Sequence, residues 1–304
     1  MLAQEDSGLF QLPIEIRNRI FEYALEEDDD LLQPFGHDRL YFRPDRRCPQ
    51  VIQLFFLRAC KRAYQETRAM PVSLADHTIW LAGGPYRLLP NSRGATGKML
   101  AWQESLNREQ RAAVRRIRLY TESLKLHELP LVSDLHAGQV SLVVRASRAS
   151  AFAPHMWSYC PQFFALCPWL PGYCFPEMMS AQPQEPDMSF LRSKMDETTW
   201  GGRISQIEGL EKFRLELEAP EHLKDDFEAV LARAKYWRFP ISGSFDALLP
   251  TGEVRRWSWK GYAEPRADHE ASLTDEAVAL LPQTTYMVAE ISWIKYKDGV
   301  ADYI

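Results

Sequence analysis

Apolar residues return along this chain with two periods, one helical and one alternating, and the changes between them mark out its elements. From Leu9 to Leu25, LFQLPIEIRNRIFEYAL, the period is helical. Pro13 suits the first turn, where its missing N–H would be an orphan donor anyway, and Glu15 in that turn suits the dipole. At ~100° per residue, Ile16, Ile20 and Tyr23 fall on one side while Ile14, Phe21 and Leu25 fall nearly opposite. Glu15, Asn18, Arg19 and Glu22 are left as a narrow polar strip. One core cannot easily cover both apolar sides. The helix is either sandwiched inside its own domain or keeps one face for a partner.

Further on, Ile52, Phe55, Phe56, Ala59, Cys60, Ala63, Tyr64 and Thr67 recur at helical spacing, which predicts a helix stopped by Pro71 with Cys60 on its packed side. Thr78 to Leu81 reads as a short strand, Met99 to Leu106 as a helix, and Asn107 with Gln110 as a capping pair for another short helix through Val114. Arg116–Tyr120, Val140–Arg145 and Lys212–Glu218 alternate as half-buried strands, with Ile117, Leu119, Phe213, Leu215 and Leu217 on the inner side. A helix feeding such a strand occurs twice. Two loose copies fall short of a solenoid's fixed period, so a central mixed sheet with helices packed on it is expected. Pro220 opens a helix carrying Leu223, Phe227, Val230, Leu231 and Ala234, with acids early and Arg233 and Lys235 late. Trp237, Phe239 and Ile241 then alternate around Pro240, the mark of a sheet edge. Val254, Trp257 and Trp259 extend the β pattern, Ala263–Ala271 is loop-like, Thr274–Leu281 is a short helix, and Tyr286–Tyr296 is a final strand. The expected fold class is α+β, mixed α/β: a helical module over residues 1–75, with segment 26–49 inserted, packed on a mixed-sheet body over 76–304 in which 177–189 is a linker candidate.

The segment L-x-x-L-P-x-E-I-R-x-x-I-F-x-Y-A-L, followed at Phe56–Thr67 by FLRACKRAYQET, resembles the F-box-like proteins numerous in filamentous fungi. Leu12, Pro13, Glu15 and Ile20 fit that family's first helix, and Leu57, Cys60, Lys61 and Tyr64 fit a later one. The run AKYWRFPI is similar to a stretch in the same family's C-terminal halves. The resemblance implies that these helices dock on a Skp-type adaptor protein, which connects to a cullin ubiquitin ligase, while the remaining chain holds an unknown protein target. On that reading Leu9, Leu12, Pro13, Ile14 and Phe21 face the adaptor. The inserted Glu26–Pro49 segment departs from the compact family pattern. The alternative is a structural or interaction protein with an F-box-derived fold and no ligase role.

Composition narrows the classes further. A net charge of −5 with dispersed Lys and Arg gives no electrostatic footprint for nucleic acid. MLAQEDSGLF carries acids where a signal peptide needs a basic start, and five cysteines, an odd number, argue for a reducing compartment. Cytoplasm or nucleus is therefore expected. From Ala149 to Pro176 there is no charged side chain, while Pro154, Pro161, Pro168, Pro171 and Pro176 oppose a membrane-spanning helix. That stretch is either an aromatic insertion packed over the sheet or an apolar groove for a partner. Its Cys160, Cys167 and Cys174, with His155 nearby, are too widely spaced for a zinc-ligand pair. SRGATGKM fails as a phosphate loop, because Ser92 stands for the first glycine and Met99 for the magnesium-binding hydroxyl. EEDDD at Glu26–Asp30 reads as a solvated loop that stops the preceding helix. His37, His77, His127, His136, His155, His222 and His269 are scattered, outside any H-E-x-x-H or nucleophile elbow. No catalytic set, metal site or cofactor is expected, and the function class is non-enzymatic protein binding.

Overall fold

The computed structural model describes residues 7–36, 42–81, 95–122, 136–146, 167–169, 188–193, 195, 199–263 and 281–296. In chain order the elements are α1 (Gly8–Gln11), α2 (Ile14–Ala24), β1 (Glu27–Asp29), β2 (Gln50–Ile52), α3 (Lys61–Thr67), α4 (Met70–Leu74), β3 (Asp76–Trp80), α5 (Ala95–Ser105) and α6 (Arg108–Ala113). They continue with β4 (Arg116–Glu122), β5 (Gln139–Arg145), α7 (Met188–Ser193), α8 (Trp200–Ser205), β6 (Lys212–Pro220), α9 (Lys224–Ala234), β7 (Phe239–Pro240), β8 (Ala247–Tyr262) and β9 (Gln283–Tyr296). A seven-stranded sheet runs β3-β4-β5-β6-β9-β8-β7. Its first four strands are parallel and in sequence order, and β9, β8 and β7 extend it antiparallel. The α+β expectation and the mixed sheet hold.

The register sorts side chains cleanly between two faces. Ile117 and Leu119, Val140, Leu142 and Val144, Phe213, Leu215 and Leu217, and Ala289, Ile291 and Trp293 share one face and are all buried. Against this face α8 contributes Trp200 and Ile204, and α9 contributes Phe227, Val230, Leu231 and Ala234. At the antiparallel end Trp200, Phe213, Trp237, Phe239 and Trp293 interlock with ring centroids 5.1–6.3 Å apart. Buried Trp293 donates its indole N–H to the Trp237 carbonyl at 2.9 Å, so its polar edge is satisfied. Sequential parallel strands need crossovers of one hand, which bring α5 and α8 to this same side. The opposite face carries Asp76, Thr78, Arg118, Tyr120, Ser141, Arg145, Arg214, Glu216, Glu218 and Glu290.

Pro240 sits in the two-residue edge strand that its position predicted. Asn107 and Gln110 form a reciprocal capping box at the start of α6. Elsewhere the local signals were outbid. The expected helix over Ile52–Thr67 is split: Ile52 ends β2, a 3-10 turn covers Leu54–Arg58, and Cys60 caps α3, its Sγ accepting the Ala63 N–H at 3.3 Å. Cys60 is therefore half-exposed at a helix start rather than packed in a core. Pro71 lies in the first turn of α4, where its missing N–H costs nothing, so it opens a helix instead of stopping one. The acidic run, expected as a loop, supplies β1, which pairs antiparallel with β2 through Glu27↔Ile52 and Asp29↔Gln50. Pro220 is the last residue of β6, and a 3-10 turn separates it from α9. Residues 274–280 of the expected Thr274–Leu281 helix and most of both Ala149–Pro176 and the 177–189 linker candidate lie outside the described residues. Within them, Trp169 is buried against Phe239 at 5.8 Å, and Pro168 accepts the Gly201 N–H.

Candidate functional site

The N-terminal module is held by residues of the two motif halves. Arg17 on α2 donates from Nε and Nη2 to the Glu66 carboxylate on α3 at 2.8 and 3.1 Å, and from Nη1 to the Leu12 carbonyl at 2.7 Å. Arg62, one turn before Glu66, adds a third bond at 3.0 Å. Burial alone would raise the Glu66 carboxyl, but its hydrogen bonds to Arg17 and Arg62 outweigh it and hold the group below its usual range. Arg17 is itself buried, so the bidentate pair clamps the first helix to the later one while covering the carbonyl left open where α1 ends. The "EIR" and "YQE" portions of the motif are one joint.

With Arg17 and Phe21 turned inward and Leu25 buried at the C-cap, the other apolar side of α2 faces out. Ile16 is 51% exposed, Ile20 40% and Tyr23 69%, and Leu12 and Ile14 at the helix entry are exposed as well. Of the five residues expected to meet an adaptor, Leu12, Pro13 and Ile14 are exposed and Leu9 is half-buried. Phe21 is the correction. It is 0% exposed and belongs to the core side, because it lies one turn from Arg17 on the face that the Glu66 clamp pulls inward. Ile16, Ile20 and Tyr23 take its place on the outward face. The two-sided pattern contained them; what sequence could not decide was which side would be covered.

A second polar constellation lies on the charged face of the sheet, at the C-terminal ends of the parallel strands. Glu218 on β6 is 1% exposed and accepts Nε and Nη2 of Arg43 at 2.9 and 2.8 Å and Nε of Arg145 at 2.8 Å. Each guanidinium also covers an aromatic pair matched across neighbouring strands. Arg43 lies 5.2 and 4.8 Å from the rings of Trp80 and Tyr120, and Arg145 lies 5.5 and 4.9 Å from Trp259 and Tyr286. Burial pushes the Glu218 carboxyl up, and the two arginines more than reverse it, so the group stays ionised. Glu216, one pleat away on the same face, has no such pairing: burial first, then the charges of Glu218 and Asp45, push it up to about 8. Arg43 comes from the inserted segment, so this cluster pins that segment to the body. Sequence gave little warning, since charges alternating along a strand read as a solvated face.

Among the described residues no group of three or more His, Cys, Asp and Glu side chains is placed to hold a metal ion, and no helix is long and apolar enough to cross a membrane. No protein-family model, curated protein or solved structure matches the chain.

Proposed function

We propose that this protein is a non-catalytic interaction adaptor whose N-terminal helical module binds a Skp-type adaptor protein through the outward side of α2, while the sheet-centred body holds a protein target. The observation that carries the reading is the unpartnered apolar face of a clamped helix: Leu12, Pro13, Ile16, Ile20 and Tyr23 stand exposed on an element fixed in orientation by Arg17–Glu66. Such a face is pre-ordered, so binding would not have to bear the entropy of folding the helix. The partner's identity comes from the motif resemblance, and with it the ligase connection. A second reading, an interaction protein with this fold and no ligase role, draws on the same clamp, because Arg17, Phe21 and Glu66 all have a structural task that would retain them without any adaptor.

Titration calorimetry with a fungal Skp-type adaptor tests the first reading. Binding by the wild-type chain that is lost in Ile16→Asp, Ile20→Asp with the thermal midpoint unchanged is the expected result. Absence of binding at micromolar concentrations overturns it and leaves the second. Phe21→Asp is unsuitable for this purpose, since it would report on the core.

A further inference from the structure

The charged face of the sheet has a portion that the Arg43–Glu218–Arg145 cluster does not use. One pleat row across four strands reads Arg118 on β4, Ser141 on β5, Arg214 on β6 and Ser292 on β9, each the register partner of the next. Neighbouring strands are about 4.8 Å apart, so the two hydroxyls flank Arg214 on either side at close range. The adjoining row adds Arg116 and Lys212. Arg118 is engaged by Asp76 at 3.1 Å and Asp45 at 3.8 Å, and Arg116 donates to the Leu74 carbonyl. Arg214 has no such engagement: its Nε is buried without an acceptor. Ser141 is 7% exposed and Ser292 is half-buried. A guanidinium on an ordinary solvated sheet face keeps its donors wet. Here a dry N–H without an acceptor stands in one row between two serines, which is costly unless something supplies an acceptor.

We infer that this row is a binding site for a tetrahedral oxyanion of the phosphate class, held by Arg214, Ser141 and Ser292 and flanked by Arg118 and Lys212. Guanidinium and hydroxyl donors on one surface match an acceptor-only ligand that offers several oxygens. The local charge agrees, although the whole chain carries −5. Glu290 lies 3.7 Å from Arg255, and Arg214 and Lys212 have no acidic partner among the described residues. Glu216 occupies the next row toward the cluster. Facing it are Glu218 and Asp45, which disfavour its ionisation, Arg118 and Arg43, which favour it, and Glu290 across the β6–β9 ladder. Uncharged at neutral pH, it does not repel an anion; ionised above about pH 8, it does. The site is independent of whatever α2 binds.

Inorganic phosphate is the first probe, read by calorimetry and by phosphorus NMR line width on the full chain, with chloride at matched ionic strength as the reference. Phenyl phosphate forms a second arm, and its affinity relative to the free ion tells an esterified ligand from inorganic phosphate. Saturable phosphate binding that weakens at least about tenfold in Arg214→Gln, persists in Arg255→Gln, and declines above pH 8 except in Glu216→Gln is expected. The Ser141→Ala, Ser292→Ala double variant, which keeps every charge, is to lose affinity as well and covers the case in which Arg214→Gln fails to fold. Binding of neither probe, or equal binding by wild type and the serine double variant, overturns the inference.

Discussion

Removing the charge of Glu218 while keeping its shape, Glu218→Gln, leaves two guanidiniums facing each other in a nearly dry space. Glu218 is 1% exposed, Arg43 4% and Arg145 5%, so water cannot take over the lost neutralisation. Opposite charges about 4 Å apart attract by ~4 kcal/mol at an effective dielectric of ~20, and the carboxylate serves two of them. Desolvation offsets much of that gross figure, and measured losses on removing one partner of a buried pair are ~3–5 kcal/mol. For a chain of this size that corresponds to a fall in Tm of roughly 5–8 °C. Arg43→Met is the discriminating companion. Among the described residues Glu218 serves both cations, so this variant keeps the Glu218–Arg145 pair and loses packing over Trp80 and Tyr120, about 1–3 kcal/mol. Urea unfolding followed by tryptophan fluorescence and by circular dichroism gives both values. If Glu218→Gln unfolds within about 1 kcal/mol of wild type, or if Arg43→Met costs more than Glu218→Gln, the charge argument is wrong.

Two other outcomes follow from the same geometry. Glu216 has its carboxyl raised from 4.5 to about 8 in the folded chain, so the folded state binds more protons than the unfolded one between those values. Its contribution is fully present below about pH 4.5 and is lost as pH rises toward 8; Glu216→Gln should flatten that decline and leave the variant more stable than wild type at pH 8 by about 2 kcal/mol or more, measured by urea titration at pH 5 and 8. Gly201→Ala places a Cβ 2.4 Å from the Pro168 carbonyl oxygen and 2.7 Å from its Cβ, so the Pro168–Gly201 contact must open. A loss of about 1–3 kcal/mol is expected, with faster proteolysis near residue 168 as an independent sign; unchanged stability would show that this contact yields freely.

The strands were legible because their alternation is a direct imprint of the two-sided sheet. Ile117 and Leu119, or Phe213, Leu215 and Leu217, could face only one way once packed against α8 and α9. The order of strands was not legible, since pairing β6 with β9, and not with β7, joins residues far apart in sequence. Apolar spacing over Ile52–Thr67 misled because it is indifferent to the backbone's other opportunity, the β1–β2 pairing that takes Ile52. On α2 the pattern showed two apolar sides and could not rank them. The Arg17–Glu66 clamp decides the matter, drawing Phe21 inward and leaving Ile16, Ile20 and Tyr23 outside, and a contact across 49 residues has no local signature. The Arg43–Glu218 pair, 175 residues apart, was hidden for the same reason.

The outward side of α2 is the proposed contact surface for a Skp-type adaptor. Covalent side-chain footprinting of the full chain, with and without that adaptor, addresses it directly. Labelling of Leu12, Ile16, Ile20 and Tyr23 should drop in the complex while exposed Phe245 and Trp257, far along the chain, keep theirs. Unchanged labelling along α2, or protection confined to other residues, would contradict the claim.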